Sequence, residues 1–171
     1  MKTLAKILVV AGCAALAWTA GAGESQAATA TATTSATVVL PVSITKTVDL
    51  NFGRFMSGGT GGTVVVSTAG AQSVTGGVTT TAALGSTATA AAFLISGEPT
   101  STYAITFPNT SNLVSGGNNM TIGTFTTAST GTLNTFGGGA ETLTVGATLT
   151  VGASQASGTY SGTIDVAVNY N

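Results

Sequence analysis

The chain has 171 residues, with four basic and five acidic side chains, no histidine and a single cysteine. So little charge, slightly negative in balance, excludes electrostatic capture of nucleic acid or of an anionic membrane. The absence of histidine beside one lone cysteine excludes Ser–His triads, Cys–His pairs and zinc centres.

Residues 1–27 read as an export signal. Lys2 and Lys6 form a basic start, 7–17 an apolar run, and Ser25-Gln26-Ala27 a small-residue cleavage site. The mature chain then starts at Ala28, with cuts after Ala20 or Ala22 as alternatives. The apolar run is too short to span a bilayer, so no stable membrane insertion is expected. Val10-Ala11-Gly12-Cys13 resembles a lipoprotein box. The apolar sequence before it is short and continues past it to Trp18, which favours ordinary cleavage. Beyond the leader no cysteine remains, so this exported domain has no disulfide and relies on core packing and its β-ladder. Its charges are Lys46 and Arg54 against Asp49, Glu98, Glu141 and Asp165, a net of minus two.

From Ala28 to Phe52 the even positions are mostly apolar and the odd ones mostly Thr, Ser, Asp or Asn. That is the period of a half-buried strand. At about 3.3 Å per residue the part up to Ile44 would span roughly 55 Å. Strands in small domains measure about 17–20 Å. The stretch therefore divides, and Pro41, which lacks an N–H, suits a strand end. Residues 28–37 are expected as an N-terminal extension and 38–45 as the first strand of a domain covering 38–171.

Further on, 48–55 alternates with Val48, Leu50 and Phe52 inward, and Gly53 allows a bend. A turn is expected at 58–62, strands at 63–67 and around Val74, and a small polar loop at 79–89. Residues 91–96 form a strong strand ended by Gly97-Glu98-Pro99. Tyr103, Ile105 and Phe107 alternate up to Pro108. A long loop is expected at 109–119, then a strand through Met120 and Ile122. Another loop covers 128–139, with Leu133 and Phe136 as apolar plugs. Leu143, Val145, Ala147, Leu149 and Val151 form a long alternating strand.

Residues 157–171 close the pattern. Ile164, Val166, Val168 and Tyr170 alternate with Asp165, Ala167, Asn169 and Asn171, and Tyr160 and Gly162 keep the phase upstream. Eight or nine short strands separated by turn signals argue an all-β antiparallel sandwich, with no convincing helix and no fixed repeat.

Asp49-Leu50-Asn51-Phe52-Gly53, Gly61-Gly62-Thr63-Val64, the run from Phe93 to Pro99 and nearly all of 131–170 resemble the bacterial secreted family catalogued as domain of unknown function 4402. Gly158, fourteenth from the end, and the penultimate Tyr170 are similar to the C-terminal signature of chaperone–usher pilus subunits and spore coat U proteins. That resemblance implies an immunoglobulin-like β-sandwich, incomplete and completed by a donated strand. It implies donor side chains Ala30, Ala32, Ala36, Val38 and Leu40. It also implies an acceptor or chaperone-facing strand carrying Gly158, Tyr160, Ile164, Val166, Val168 and Tyr170. The implied partners are other copies or related subunits, a periplasmic chaperone and an outer-membrane usher. The implied route is the periplasm, then the cell surface or beyond. A second reading from the residues is a self-complete secreted sandwich that binds glycan or a surface partner as a monomer, with 28–37 a dispensable tail.

Chemistry is not expected. The only acid–base option is a carboxylate pair. Asp49 and Asp165 lie on the polar phase of their strands, Glu98 sits in a turn and Glu141 starts a strand, so each is expected to face water. No calcium loop and no phosphate loop is present in the sequence. No cofactor is expected.

Overall fold

The computed structural model describes residues 27–109, 111–133 and 138–171. The leader through residue 26, with Cys13, and the expected plug Phe136 lie outside the described residues. The chain divides into two units, Met1–Ala36 and Thr37–Asn171. Of the first, residues 27–36 form no strand and are exposed. The second holds nine strands among the described residues, with one short 3₁₀ turn at Ala82–Leu84 and no α-helix.

The sheets are built outward from β8, Ala140–Val151. Its alternating Leu143, Val145, Ala147, Leu149 and Val151 are each no more than 1% exposed. Such a strand must give away the hydrogen bonds of both its edges, and it does. On one edge β4 (Ala91–Ser96) pairs with its first half and β2 (Met56–Val66) with its second. On the other edge lies β7 (Asn118–Ala128), so that Leu149 sits between Val64 and Ile122. Outside these come β1 (Ser43–Val48) on β4, β3 (Gln72–Thr79) on β2 and β6 (Ser111–Ser115) on β7. A separate two-stranded sheet pairs β5 (Tyr103–Thr106) with β9 (Ala167–Tyr170). All pairings are antiparallel, and the protein is the all-β sandwich that its period-two pattern predicts. The core falls into two clusters, one around Val64, Ile122 and Leu149, the other around Phe93, Ile95 and Leu143. Leu50, Phe125 and Ile164 pack against both.

Several boundaries differ from expectation. The first strand is Ser43–Val48 rather than 38–45. Residues 49–55 make a single rung, Asn51 with Thr89, instead of a strand. The expected turn at 58–62 lies inside β2, as a bulge against β3. The long loop expected over 109–119 is largely the β6–β7 hairpin. It turns on Gly116 and Gly117, both at positive φ (53° and 85°), as the tightest hairpins require. The strand expected over 157–171 is regular only in β9.

Glu141 does not face water as expected. Tyr103, 4% exposed, donates its hydroxyl to Glu141 Oε2 at 2.5 Å and meets Ser129 Oγ at 2.5 Å. Thr130 N–H donates to Glu141 Oε1 at 2.5 Å. These bonds tie down the loop that carries the buried plug Leu133. Burial, then the bond to Glu141, pushes the Tyr103 phenol up to about 12. For Glu141 burial pushes the carboxyl up, but the bonds from Tyr103, Thr130 and Ser129 outweigh it and hold it below its ordinary value. A depressed carboxyl stabilises the fold above its unfolded pKa, and that stability goes as pH falls through the folded value. A raised phenol stabilises below pH 10.0, and that is lost as pH climbs towards about 12. The thermal midpoint is therefore expected to fall below about pH 4.5 and again above pH 10. Glu141→Gln is expected to blunt the acid limb and Tyr103→Phe the alkaline one, as read by circular dichroism melts across pH.

Candidate functional site

An open groove of about 930 Å³ lies in the second unit. One wall is 46–57 and the other 155–164; Phe93, Met120, Ile122 and Leu149 form its floor. Those four are core residues, none more than 8% exposed. Fully extended, ten residues of wall would reach at most roughly 30 Å.

Each wall is an irregular segment that makes one bridge, on the side away from the groove. Ser161 exchanges both main-chain bonds with Val114, at 2.9 and 3.2 Å. Main-chain groups alternate in direction along a strand, so Tyr160 and Gly162 turn theirs to the groove. Across from them Asn51 exchanges bonds with Thr89 at 2.9 Å each way, which turns Leu50 inward. At Phe52 the alternation breaks, as Gly53 takes a positive φ of 76°: Phe52 O is held by Gln72 Nε2 at 2.6 Å, and Ser86 Oγ accepts from Arg54 N–H at 3.0 Å. Beyond the groove the same relation continues. β1 bonds only β4 and β9 only β5, and the two approach each other without pairing.

The side chains show the same incompleteness. Val42, Ile44 and Leu50 on one side, and Tyr160, Ile164, Val166 and Val168 on the other, pack against the core but stay half-buried. At one end Tyr160 donates to Ala156 O at 2.8 Å and accepts from Gln155 Nε2 at 2.9 Å; Ser57 Oγ accepts from Gln155 N–H at 2.8 Å. This polar cluster closes that end.

The structure thus gathers Gly158, Tyr160 and Ile164 into the groove wall, while Val166, Val168 and Tyr170 continue the line towards and along β9. The expected donor residues Ala30, Ala32 and Ala36 are exposed, as are Val38 (96%) and Leu40 (56%). Sequence reasoning missed the floor and the 46–57 wall. Met120, Ile122 and Leu149 carry an ordinary core pattern, which does not tell a covered core residue from one at the bottom of a cleft. Among the described residues no three His, Cys, Asp or Glu side chains come together as a metal site. No helix among them is long and apolar enough to cross a membrane.

An antiparallel β-sandwich with an open, apolar-floored groove is the class of protein that these observations define. The family described as domain of unknown function DUF4402 matches residues 42–170, and the chain belongs to it. No curated protein and no solved structure matches the chain significantly.

Two wall glycines are fixed by contact. A Cβ on Gly162 would lie 2.1 Å from Asn112 O, and one on Gly158 would lie 2.7 Å from Ser115 Oγ, so both let the wall press against β6. Gly162→Ala is expected to cost about 1–3 kcal/mol by overpacking. Gly59→Ala, where nothing lies within 4 Å, serves as the near-neutral control in urea titrations.

Proposed function

We propose that this protein is an exported structural subunit of an extracellular fibre, in which the groove receives a strand from another molecule. The carrying observation is the groove itself, strand-sized, apolar at its base and flanked by unpaired backbone. An open sheet edge is a template for pairing. An added strand supplies main-chain hydrogen bonds for affinity, while its alternate side chains enter pockets for specificity. In this reading the sandwich is immunoglobulin-like with one strand lacking.

The occupant is residues 28–39 of a second copy. They alternate in period two and carry no charge. They form no strand in their own chain and lie outside the family match, which starts at residue 42. Donation from one copy to the next is heterologous and does not close on itself, so it builds a filament. During export an uncovered groove would invite aggregation, so a periplasmic chaperone covers it and an outer-membrane usher passes subunits on. No reaction is needed in this account. The carboxylates serve structure: Asp49 pairs with Lys46, Glu141 holds Tyr103, Glu98 accepts from Leu40 N–H and Asp165 from Asn109.

Electrophoresis of surface extracts without boiling is the direct test. A ladder of detergent-resistant multimers that collapses on heating is expected. Val166→Asp with Val168→Asp is expected to abolish the ladder while leaving export intact. A single monomer band from the unaltered protein would refute the fibre and favour a monomeric binding module.

A further inference from the structure

We infer that Glu98 and Tyr170 fix the exit of the 28–39 segment so that it cannot fill the groove of its own chain, and a second molecule must. The inference rests on the reading of the groove given above. At Leu40 both main-chain groups are taken. Leu40 N–H donates to Glu98 Oε2 at 3.0 Å, and Leu40 O accepts from the Tyr170 hydroxyl at 2.8 Å. Glu98 N–H in turn donates to that hydroxyl at 2.6 Å, so the three residues form one closed clamp. Its seat is built for the phenol: a Cβ on Gly97 would lie 2.2 Å from the Tyr170 oxygen. Beyond the clamp the chain turns into solvent, with Val38 96% exposed.

To complete its own domain the segment would have to reverse at Leu40 and run back beside β1. The tight hairpins that permit such a reversal need positive φ at one or both central residues, usually from Gly or Asn. Leu40-Pro41 offers neither: proline is held near −65°, and leucine carries a Cβ. Reversal would also break both bonds at Leu40. Clamp and dipeptide act together, one holding the chain outward and the other resisting the turn. They also set the donor's limit. Leu40 N–H is taken and its carbonyl is held by Tyr170, so the donated strand ends at Val39, one residue short of the expected donor set. Glu98 lies outside the groove walls and acts as a positioning residue.

The mature chain has no cysteine, so a pair can be introduced cleanly. Ser35→Cys on the segment and Thr159→Cys in the groove wall are oxidised in the exported protein. An otherwise unaltered chain is expected to give disulfide bonds between chains, seen as a ladder on non-reducing gels. Adding Glu98→Ala, Leu40→Asn and Pro41→Gly opens the clamp and supplies a hairpin turn. That variant is expected to give mainly a fast-running, internally linked monomer, with the ladder reduced about tenfold, the scale of one lost hydrogen bond. Glu98→Gln, which keeps an acceptor for Leu40, is expected to keep the ladder. An undiminished ladder in the triple variant overturns the inference. No cross-link of either kind in the starting chain instead overturns the groove reading on which it rests. If the triple variant fails to fold, amide exchange in the unaltered chain decides: Leu40 is expected to exchange about tenfold more slowly than Val38 or Val39. Equal rates overturn the clamp.

Discussion

A strand inside a sheet has two rows of main-chain hydrogen bonds to give away, and this fold turns on where the second row goes. β8 gives away both, to β4 and β2 on one edge and to β7 on the other. That saturation makes it the centre of the sandwich. The walls of the groove give away one row only. Main-chain groups open to solvent can bond water and so carry little penalty, but the apolar side chains beside them have no such remedy. Fully burying a Val, Leu or Ile is worth about 1.5–3 kcal/mol, and Leu50, Ile164, Val166 and Val168 have realised only part of that. In the proposed assembly, what remains is the driving force for a further strand.

The balance of that force falls on the acceptor. Ala30, Ala32 and Ala36 bring little apolar area, and the clamp withholds Leu40. The donated segment therefore acts mainly through its backbone and by covering what the walls already present. Association of two molecules costs several kcal/mol in lost freedom. In the proposed assembly a flat row of alanines offsets little of it, and main-chain bonds to the free edges must offset the rest. Tyr170 links the two halves of this arrangement. Its main chain extends the acceptor line in β9, and its hydroxyl holds the point where the chain's own segment departs.

The period-two pattern made the fold class legible, because alternation reports one buried face whatever the partner strand is. Leu143 to Val151 read correctly for that reason, and β4 likewise. Alternation cannot report whether a ladder forms. Residues 157–166 alternate as cleanly as β9 does, yet make one rung, Ser161 with Val114, because alternation reports a buried face and not a paired edge. The same blindness placed a strand at 48–55. The β6–β7 hairpin was hidden for a different reason: Gly116-Gly117 reads as loop composition, and only the positive φ of both residues makes it a turn. Glu98 gave no signal, because its partner is a main-chain N–H distant in sequence. Of the expected acceptor set, the line from Gly158 to Tyr170 was readable as one apolar face. The opposite wall and the floor were not, since a cleft is a property of two segments at once.

If the groove is open during export, as proposed, charge placement bears on why it is tolerable. The mature chain has six charged side chains, and three of them, Lys46, Asp49 and Arg54, lie in one groove wall. Lys46 and Asp49 pair at 2.5 Å on the surface, where such a bridge contributes little to stability. Their value there is as obstacles. Charges beside an open edge disfavour casual pairing with a stray hydrophobic strand, because the incoming chain must strip water from them. The opposite wall, 155–164, has no charge at all and keeps its backbone close against β6 through Gly158 and Gly162. In the proposed assembly a partner strand would thus meet one guarded edge and one bare edge. The bare edge is the natural place for pairing to begin, with the guarded edge closing once the core side of the strand is already covered.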